Sequence, residues 1–208
     1  AALVCGTHDH GDHIDRACLP AIAAATDCPL VVPRLLLPGL AHDLDLPQDR
    51  FVGLNDGDRR RFGGLTVTAV AAAHEFVERD PATGLCPYLG FVIEGGGCKV
   101  YHAGDTCLYE GLHARLRELA PDVMLLPING RDAARLARGC IGNMTYQEAA
   151  DLAGAVRPGL TVPAHFDMFA GNTEDPALFE AYMQVKYPGL RVHIPSHGDR
   201  IAIRPAAG

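Results

Sequence analysis

The stretch Thr7-His8-Asp9-His10-Gly11-Asp12-His13 packs three imidazoles and two carboxylates into the six positions 8–13. It follows the apolar run Ala1–Cys5, which predicts a strand that leads into a loop. Alternate side chains of such a loop diverge, so its first two histidines can point one way while Asp12 and His13 point another. Neutral imidazole and carboxylate are ligands that suit zinc, iron or manganese. The pattern therefore favours two adjacent metal positions over a histidine-rich surface loop.

Three further candidate ligands stand where predicted strands end. His74 closes one apolar, β-branched run, Asp105 comes shortly after a second, and His165 follows a third. Strand ends are where a rigid sheet presents side chains to a shared cleft. Taken singly, each of these residues is a weak signal. Together with the histidine-rich stretch they are candidates for one shared metal site.

The order HxHxDH, then His, then Asp, then His resembles that of the metallo-β-lactamase superfamily. The resemblance implies a four-layer αββα fold. It also implies a ligand set, with Asp105 bridging two metals. The first metal would be held by His8, His10 and His74, and the second by Asp12, His13 and His165.

The spacing of apolar residues and turn signals predicts α/β architecture, with strands early in the chain and helices alternating with strands later. Besides the first strand, the predicted strands are 30–32, 65–73, 88–93, 99–102, 123–126, 160–163, 191–194 and 200–203. The predicted helices are 14–25, 34–44, 110–119, 145–156 and 175–186. Thr145 and Glu148 form a capping-box pattern, and Gly95-Gly96-Gly97 predicts a hairpin. Residues 1–208 are expected to form one domain that lacks the first N-terminal strands of the fold.

Composition narrows the class of protein. The chain has 208 residues, of which 48% are hydrophobic and 21% charged, and no apolar run reaches the roughly 18 residues that a membrane span needs. A net charge of −7 argues against a nucleic-acid partner. The one dense basic cluster, Arg59–Arg61, is interpreted as a solvated turn. Seven cysteines without CxxC spacing predict reduced thiols and a cytoplasmic location.

Motifs in the second half resemble the L-ascorbate-6-phosphate lactonase family more closely. The resemblance covers roughly residues 1–200 and is densest after His102. It implies a cytoplasmic enzyme that uses manganese and opens the lactone of a phosphorylated sugar acid. The stretches that carry the resemblance are His102-Ala103-Gly104-Asp105-Thr106, Leu126-Pro127-Ile128-Asn129-Gly130-Arg131-Asp132, Gly142-Asn143-Met144-Thr145-Tyr146-Gln147-Glu148-Ala149, His165-Phe166-Asp167-Met168-Phe169 and Gly171-Asn172-Thr173-Glu174-Asp175-Pro176.

These residues permit hydrolysis by metal-activated water, with Mn²⁺ or Zn²⁺ as the cofactor, in one or two ions. Asp12 is the candidate catalytic residue, because its carboxylate can hold or deprotonate that water. Arg131 suits an anion through its bidentate fork, with a salt bridge to Asp132 as the alternative. Thr145 has the alternative role of a helix cap. The candidate substrate-binding residues are Asn129, Arg131, Asp132, Asn143 and Thr145.

Two other interpretations remain open at this point. One is a metal-dependent phosphodiesterase or ribonuclease, which the absence of a long basic patch disfavours. The other is a catalytically impaired metal-binding scaffold, because an incomplete first sheet would expose an edge that is prone to association. The expected partner is a small anionic sugar lactone, and homo-oligomers are compatible with the sequence.

Overall fold

The structure is a computed structural model that describes residues 1–203. A small parallel sheet contains β1 (Val4–Cys5), β2 (Leu30–Pro33) and β3 (Phe51–Leu54), paired in that order. The next strands along the chain are β4 (Arg59–Phe62), β5 (Leu65–Ala71), the hairpin β6 (Ala73–His74) and β7 (Phe76–Val77), β8 (Leu89–Gly95), β9 (Cys98–His102), β10 (Val123–Pro127) and β11 (Leu160–Ala164). A six-stranded sheet has the order β11-β10-β9-β8-β5-β4.

The helices flank these sheets, and among the described residues each is too short or too polar to span a membrane. They are α1 (Cys18–Ala25), α2 (Leu37–Asp43), α3 (Leu112–Leu119), α4 (Ala133–Leu136), α5 (Tyr146–Val156) and α6 (Pro176–Lys186), with a 3₁₀ turn at Gln48–Arg50.

Strand β2 shows why the small sheet is covered on both faces. Leu30 and Val32 pack into a cluster with α1 and α2, whereas Val31 packs against residues of the large sheet. Successive side chains of a strand point to opposite faces, so a continuous apolar run is buried on both sides. The large sheet repeats this pattern: Phe91 faces the small sheet, and Val92 faces the cluster of α3, α5 and α6. The layers are therefore αββα, which confirms the predicted fold class.

Several local predictions are confirmed. Thr145 and Glu148 form a complete capping box at the start of α5. Asp175 caps α6, in which Pro176 is the first residue. The three-glycine signal marks the turn of the β8–β9 hairpin. Each of these features depends on residues close together in sequence, which is why the sequence alone identifies them.

Other predictions are wrong. Arg59–Arg61 is not a turn but belongs to β4, an exposed edge strand that pairs antiparallel with β5. An edge strand with a solvent-facing side accommodates charged side chains. The predicted strand 191–194 is reduced to one parallel bridge between Val192 and Thr161, and 200–203 is not a strand. Strand β3 was not predicted. The last five residues of the chain lie outside the described part.

The sheet topology brings the candidate ligands to one edge. Strands β9, β10 and β11 are parallel, and β5 is antiparallel to β8, which is antiparallel to β9. Strands β5, β9 and β11 therefore all end at the same edge of the large sheet. His74 lies just after β5, Asp105 just after β9 and His165 just after β11. The backbone of Thr7 accepts a hydrogen bond from Leu89, which places the loop after β1 beside them.

Two helical glycines provide a matched test of how closely α5 packs against Tyr187, the residue after α6. A Cβ on Gly154 of α5 would lie 2.3 Å from the ring of Tyr187, whereas a Cβ on Gly39 of α2 meets nothing within 4 Å. We expect Gly154→Ala to lower the free energy of unfolding by about 1–3 kcal/mol through overpacking. We expect Gly39→Ala to raise it by up to about 1 kcal/mol through helix propensity. Urea denaturation measures both, and equal changes would contradict the assigned α5–α6 contact.

Candidate metal centre

The residues predicted as metal ligands converge at this sheet edge. They form two groups, and within each group one potential ligand atom per residue lies within 4.8 Å of the others. The first group contains His8, His10, His74 and Asp105, and the second contains Asp12, His13 and His165. This grouping has the same division between two positions as the sequence-based prediction. Whether each residue binds a metal stays a prediction.

The spacing of the donor atoms fits a metal ion. Two ligand atoms bound at tetrahedral angles to zinc lie about 3.3 Å apart. The Nε2 atom of His8 lies 2.9 Å from Nδ1 of His10. On the other side, Oδ2 of Asp12 lies 3.3 Å from Nε2 of His13 and 3.2 Å from Nε2 of His165. Imidazole nitrogens and carboxylate oxygens held at these separations are an appropriate donor set for a divalent ion.

Asp105 lies between the two groups. Its Oδ1 atom is 3.2 Å from Nε2 of His13 and 3.5 Å from Nε2 of His165. Its Oδ2 atom is 3.9 Å from Nε2 of His74. One carboxylate oxygen therefore faces each group, which is the arrangement that a bridging ligand requires.

Burial keeps two of the imidazoles neutral. Desolvation, with the charge of the neighbouring His13, lowers the pKa of His8 to about 2, although the charge of Asp105 opposes the shift. Desolvation also lowers the pKa of His74. A metal binds the unprotonated nitrogen of imidazole, so a low pKa keeps that nitrogen available at neutral pH.

At Asp105 and His13, neighbouring charges and hydrogen bonds shift the pKa against the effect of burial. Burial by itself would raise the pKa of this carboxyl group, but the hydrogen bond from His13 and the charges of His165, His13 and His8 hold it below its usual range. Burial pulls the pKa of His13 down, yet its hydrogen bond to Asp105 and the charges of Asp105 and Asp12 outweigh that and raise it. Asp105 is therefore ionised at neutral pH, as a metal-binding carboxylate must be.

Thr7 orients two of the rings and was not singled out from the sequence. Its Oγ1 atom lies 3.0 Å from Nδ1 of His8 and 2.8 Å from Nδ1 of His13. When both rings donate from Nδ1, the two lone pairs of the hydroxyl group accept, and Nε2 of each ring lies among the other candidate ligands, beside His10 for His8 and beside Asp105 for His13. Its position directly before His8 was the available signal.

Gly104 allows the loops to meet. It has φ of +63°, and a Cβ there would lie 2.9 Å from Cβ of Thr7 and 3.0 Å from the carbonyl oxygen of Leu89. Only glycine tolerates both this backbone conformation and this close approach. The residue before Asp105 therefore sets how near the carboxylate comes to the histidine-rich loop.

The clustered side chains open into a cleft of about 220 Å³. Its walls include three of the histidines, Tyr88, Phe169, Asn143, Asn172 and the segment 139–142. A larger hollow of about 550 Å³ lies along β4 and the β8–β9 turn, and it contains none of the clustered histidines. Size therefore does not identify the site, whereas the convergent donors do. Tyr88 and Asn172 were not predicted, because neither belongs to a ligand pattern.

The predicted substrate-binding residues differ in where they lie: one of them lines the cleft, and others cap helices. Asn129 and Asn143 are fully buried, and Asn143 lines the cleft. Asp132 caps α4 and pairs with Arg135 through Oδ2 at 2.6 Å. Thr145 accepts the amide of Glu148 in the capping box, as its alternative role predicted.

Arg131 has a partner other than the one that the sequence suggested. Its guanidinium group binds both carboxylate oxygens of Glu148, each at 2.7 Å, and donates to the carbonyl oxygen of Asn143. The expected alternative, a salt bridge to Asp132, is therefore wrong. The two residues are adjacent in sequence, but Asp132 turns to cap α4 while α5 presents Glu148 to the guanidinium group.

Comparison with known proteins agrees with this geometry. The family described as "Beta-lactamase superfamily domain" matches residues 1–166. The chain therefore belongs to the β-lactamase superfamily, whose ligand order the histidine-rich stretch resembled.

Within that superfamily, the chain is a metal-dependent hydrolase of the UPF0173 family. A UPF0173 metal-dependent hydrolase of Caldivirga maquilingensis is 30% identical over 194 residues, which cover 93% of this chain and 76% of that protein. The structure of Igni18, a metallo hydrolase from Ignicoccus hospitalis, has a TM-score of 0.74 and 27% identity, and covers 96% of this chain and 78% of that one. An isothiocyanate hydrolase from Delia radicum gut bacteria (TM-score 0.71, 18% identity, covering 98% and 77%) shares the fold alone.

Removing the hydroxyl group of Thr7 tests its orienting role. We expect Thr7→Val to weaken metal affinity about 10- to 100-fold, because both rings lose the acceptor that holds them. Competition with a metal-binding dye measures the dissociation constant. Thr161→Val is the matched control, since that buried hydroxyl group has no partner in the described part of the chain. A similar loss of affinity in both variants would show that the effect is not specific to the ring contacts.

Proposed function

We propose that this hydrolase opens a small lactone, in the manner of the family of sugar-acid lactonases that its motifs resemble. The observation that carries the proposal is the carboxylate of Asp12, which lies beside His13 and His165 at the mouth of a small cleft. A carboxylate in that place can hold the attacking water and take its proton. The motif resemblance in residues 102–176 supports a lactone among the possible esters.

The donor groups would hold one or two divalent ions. His8, His10 and His74 would bind one, Asp12, His13 and His165 would bind the other, and Asp105 would contact both. A divalent ion bound there lowers the pKa of water towards neutrality and polarises a carbonyl oxygen. The imidazole-rich set suits zinc, and the family resemblance favours manganese.

The size of the cleft supports a small substrate. A volume of about 220 Å³ is below the range of about 300–1,000 Å³ that is typical for drug-sized ligands. A monocyclic lactone fits such a volume, whereas a nucleic-acid strand needs a long basic groove. Arg131 and Arg135, two of the three arginines in the segment before Asn143, are both paired with carboxylates. These observations favour a lactone over a phosphodiester.

Arg138 is the candidate side chain for binding the phosphate group of a phosphorylated lactone. This residue is exposed and forms no ion pair within residues 1–203. Its Nη2 atom lies 3.5 Å from the carbonyl oxygen of Gly171. Gly139, which follows Arg138, and Asn172, which follows Gly171, both line the cleft. We therefore propose Arg138, rather than the paired Arg131, as the side chain that binds a phosphate or carboxylate at the rim.

Metal removal and a substrate panel test the proposed reaction. We expect dialysis against a chelator to abolish lactone hydrolysis, and addition of Mn²⁺ or Zn²⁺ to restore it, because the proposed reaction depends on metal-activated water. The panel contains phosphorylated and unphosphorylated sugar lactones and bis(4-nitrophenyl) phosphate. Elemental analysis of the purified protein accompanies the assay. Turnover of only the phosphodiester would overturn the proposal, and metal retention without any turnover would favour a scaffold.

Replacing Arg138 tests the assignment of the anion. We expect Arg138→Gln to raise KM for a phosphorylated lactone about tenfold, since a charge-assisted hydrogen bond is lost. The KM for the unphosphorylated lactone should not change. Arg157→Gln is the control, because Arg157 lies at the end of α5, outside the cleft. An equal increase of KM for both lactones would contradict the proposed role.

A further inference from the structure

Asn143 lines the cleft and carries a buried hydrogen-bond acceptor that is unused. The residue is fully buried and lines the cleft beside His165 and Asp105. Its Oδ1 atom has no hydrogen-bond partner in the described part of the chain. A buried carbonyl oxygen without a partner costs about 1–3 kcal/mol. A donor is therefore expected to reach it when the cleft is filled.

A chain of amides fixes which atom of the Asn143 side chain is left without a partner. Arg135 donates from Nη1 to Oδ1 of Asn172 (3.2 Å), and the same oxygen accepts Nδ2 of Asn129 (2.9 Å). Oδ1 of Asn129 in turn accepts Nδ2 of Asn143 (3.0 Å). Arginine has only donors, so Asn172 must offer its oxygen to Arg135. That choice fixes the orientation of the Asn129 amide, which in turn fixes the orientation of the Asn143 amide. Asn143 is left with a free oxygen, not a free NH₂ group.

The backbone holds this end of the amide chain in place. The amide of Asn143 donates to the carbonyl oxygen of Gly130, and Gly130 donates back to Met144. Met144 also donates to the carbonyl oxygen of Thr106, the residue after Asp105. A Cβ on Gly142 would lie 2.3 Å from the carbonyl oxygen of Gly130, so the approach is close. These backbone bonds tie the main chain at Asn143 to the segment that follows Asp105.

We propose that Oδ1 of Asn143 accepts a hydrogen bond from a hydroxyl group on the substrate ring, and that Arg135 sets this preference from outside the cleft. The proposal deepens the proposed lactonase function and rests on it for the choice of ring. The site then favours hydroxylated lactones over deoxygenated ones. Asn143 is the binding residue, while Asn129, Asn172 and Arg135 are positioning residues.

Binding of lactams separates this inference from the question of turnover, because lactams resist hydrolysis. The probes are 2-pyrrolidinone, 3-hydroxy-2-pyrrolidinone and 4-hydroxy-2-pyrrolidinone, titrated into the metal-loaded protein and followed by NMR. We expect at least one hydroxylated lactam to bind about tenfold more tightly than 2-pyrrolidinone. Equal dissociation constants for all three would overturn the inference, whatever the activity on lactones.

Variants test the role of the amide chain. Asn143→Leu removes the acceptor, and Arg135→Met removes the donor that sets the orientation, so both should abolish the tenfold preference. Arg135→Lys keeps a donor, and Asn172→Asp keeps the acceptor for Arg135 and Asn129, so both should retain it. A purely structural role would weaken binding of all three lactams equally. Retention of the preference in Arg135→Met or in Asn143→Leu would refute the mechanism.

Discussion

The buried carboxylate of Asp105 is the constraint on which the rest of the site depends. Burial alone would raise its pKa, and the hydrogen bond from His13 and the charge of His165 outweigh that effect. Those imidazoles come from two distant parts of the chain. The ends of β9 and β11 must therefore lie next to the loop after β1. Gly104 allows the segment after β9 to approach Thr7 of that loop closely. The αββα layers provide this geometry, because parallel strands end at one edge of the large sheet.

The same edge carries two kinds of polar chemistry. Histidine and aspartate donors on one side form a set that fits divalent ions, and they belong to a metal-dependent hydrolase. Buried amides on the other side form a chain whose direction Arg135 sets. The first group would provide reactivity. The second group would provide selectivity, because an acceptor without a partner distinguishes ligands that bring a donor.

Prediction from sequence succeeded where the physical cause is local. The capping box of Thr145 and Glu148 and the cap at Asp175 each involve atoms within one helical turn. The histidine-rich stretch stood out because its residue types are rare in such density, whereas His74, Asp105 and His165 were proposed from their places at strand ends. Prediction was wrong for Arg59–Arg61, since a run of charges resembles a turn until a neighbouring strand pairs with it. It was also wrong for 191–194, where one bridge replaces a strand.

The sequence by itself determined the donor types, the order of the ligands and the helix caps, because these depend on composition and near neighbours. Only the tertiary structure decided that Arg131 pairs with Glu148, that Thr7 holds two rings, and that Asn143 presents its oxygen. The physical reason is that a hydrogen bond or an ion pair depends on distance and direction in space. Residues that lie far apart along the chain acquire both only when the strands that carry them are packed.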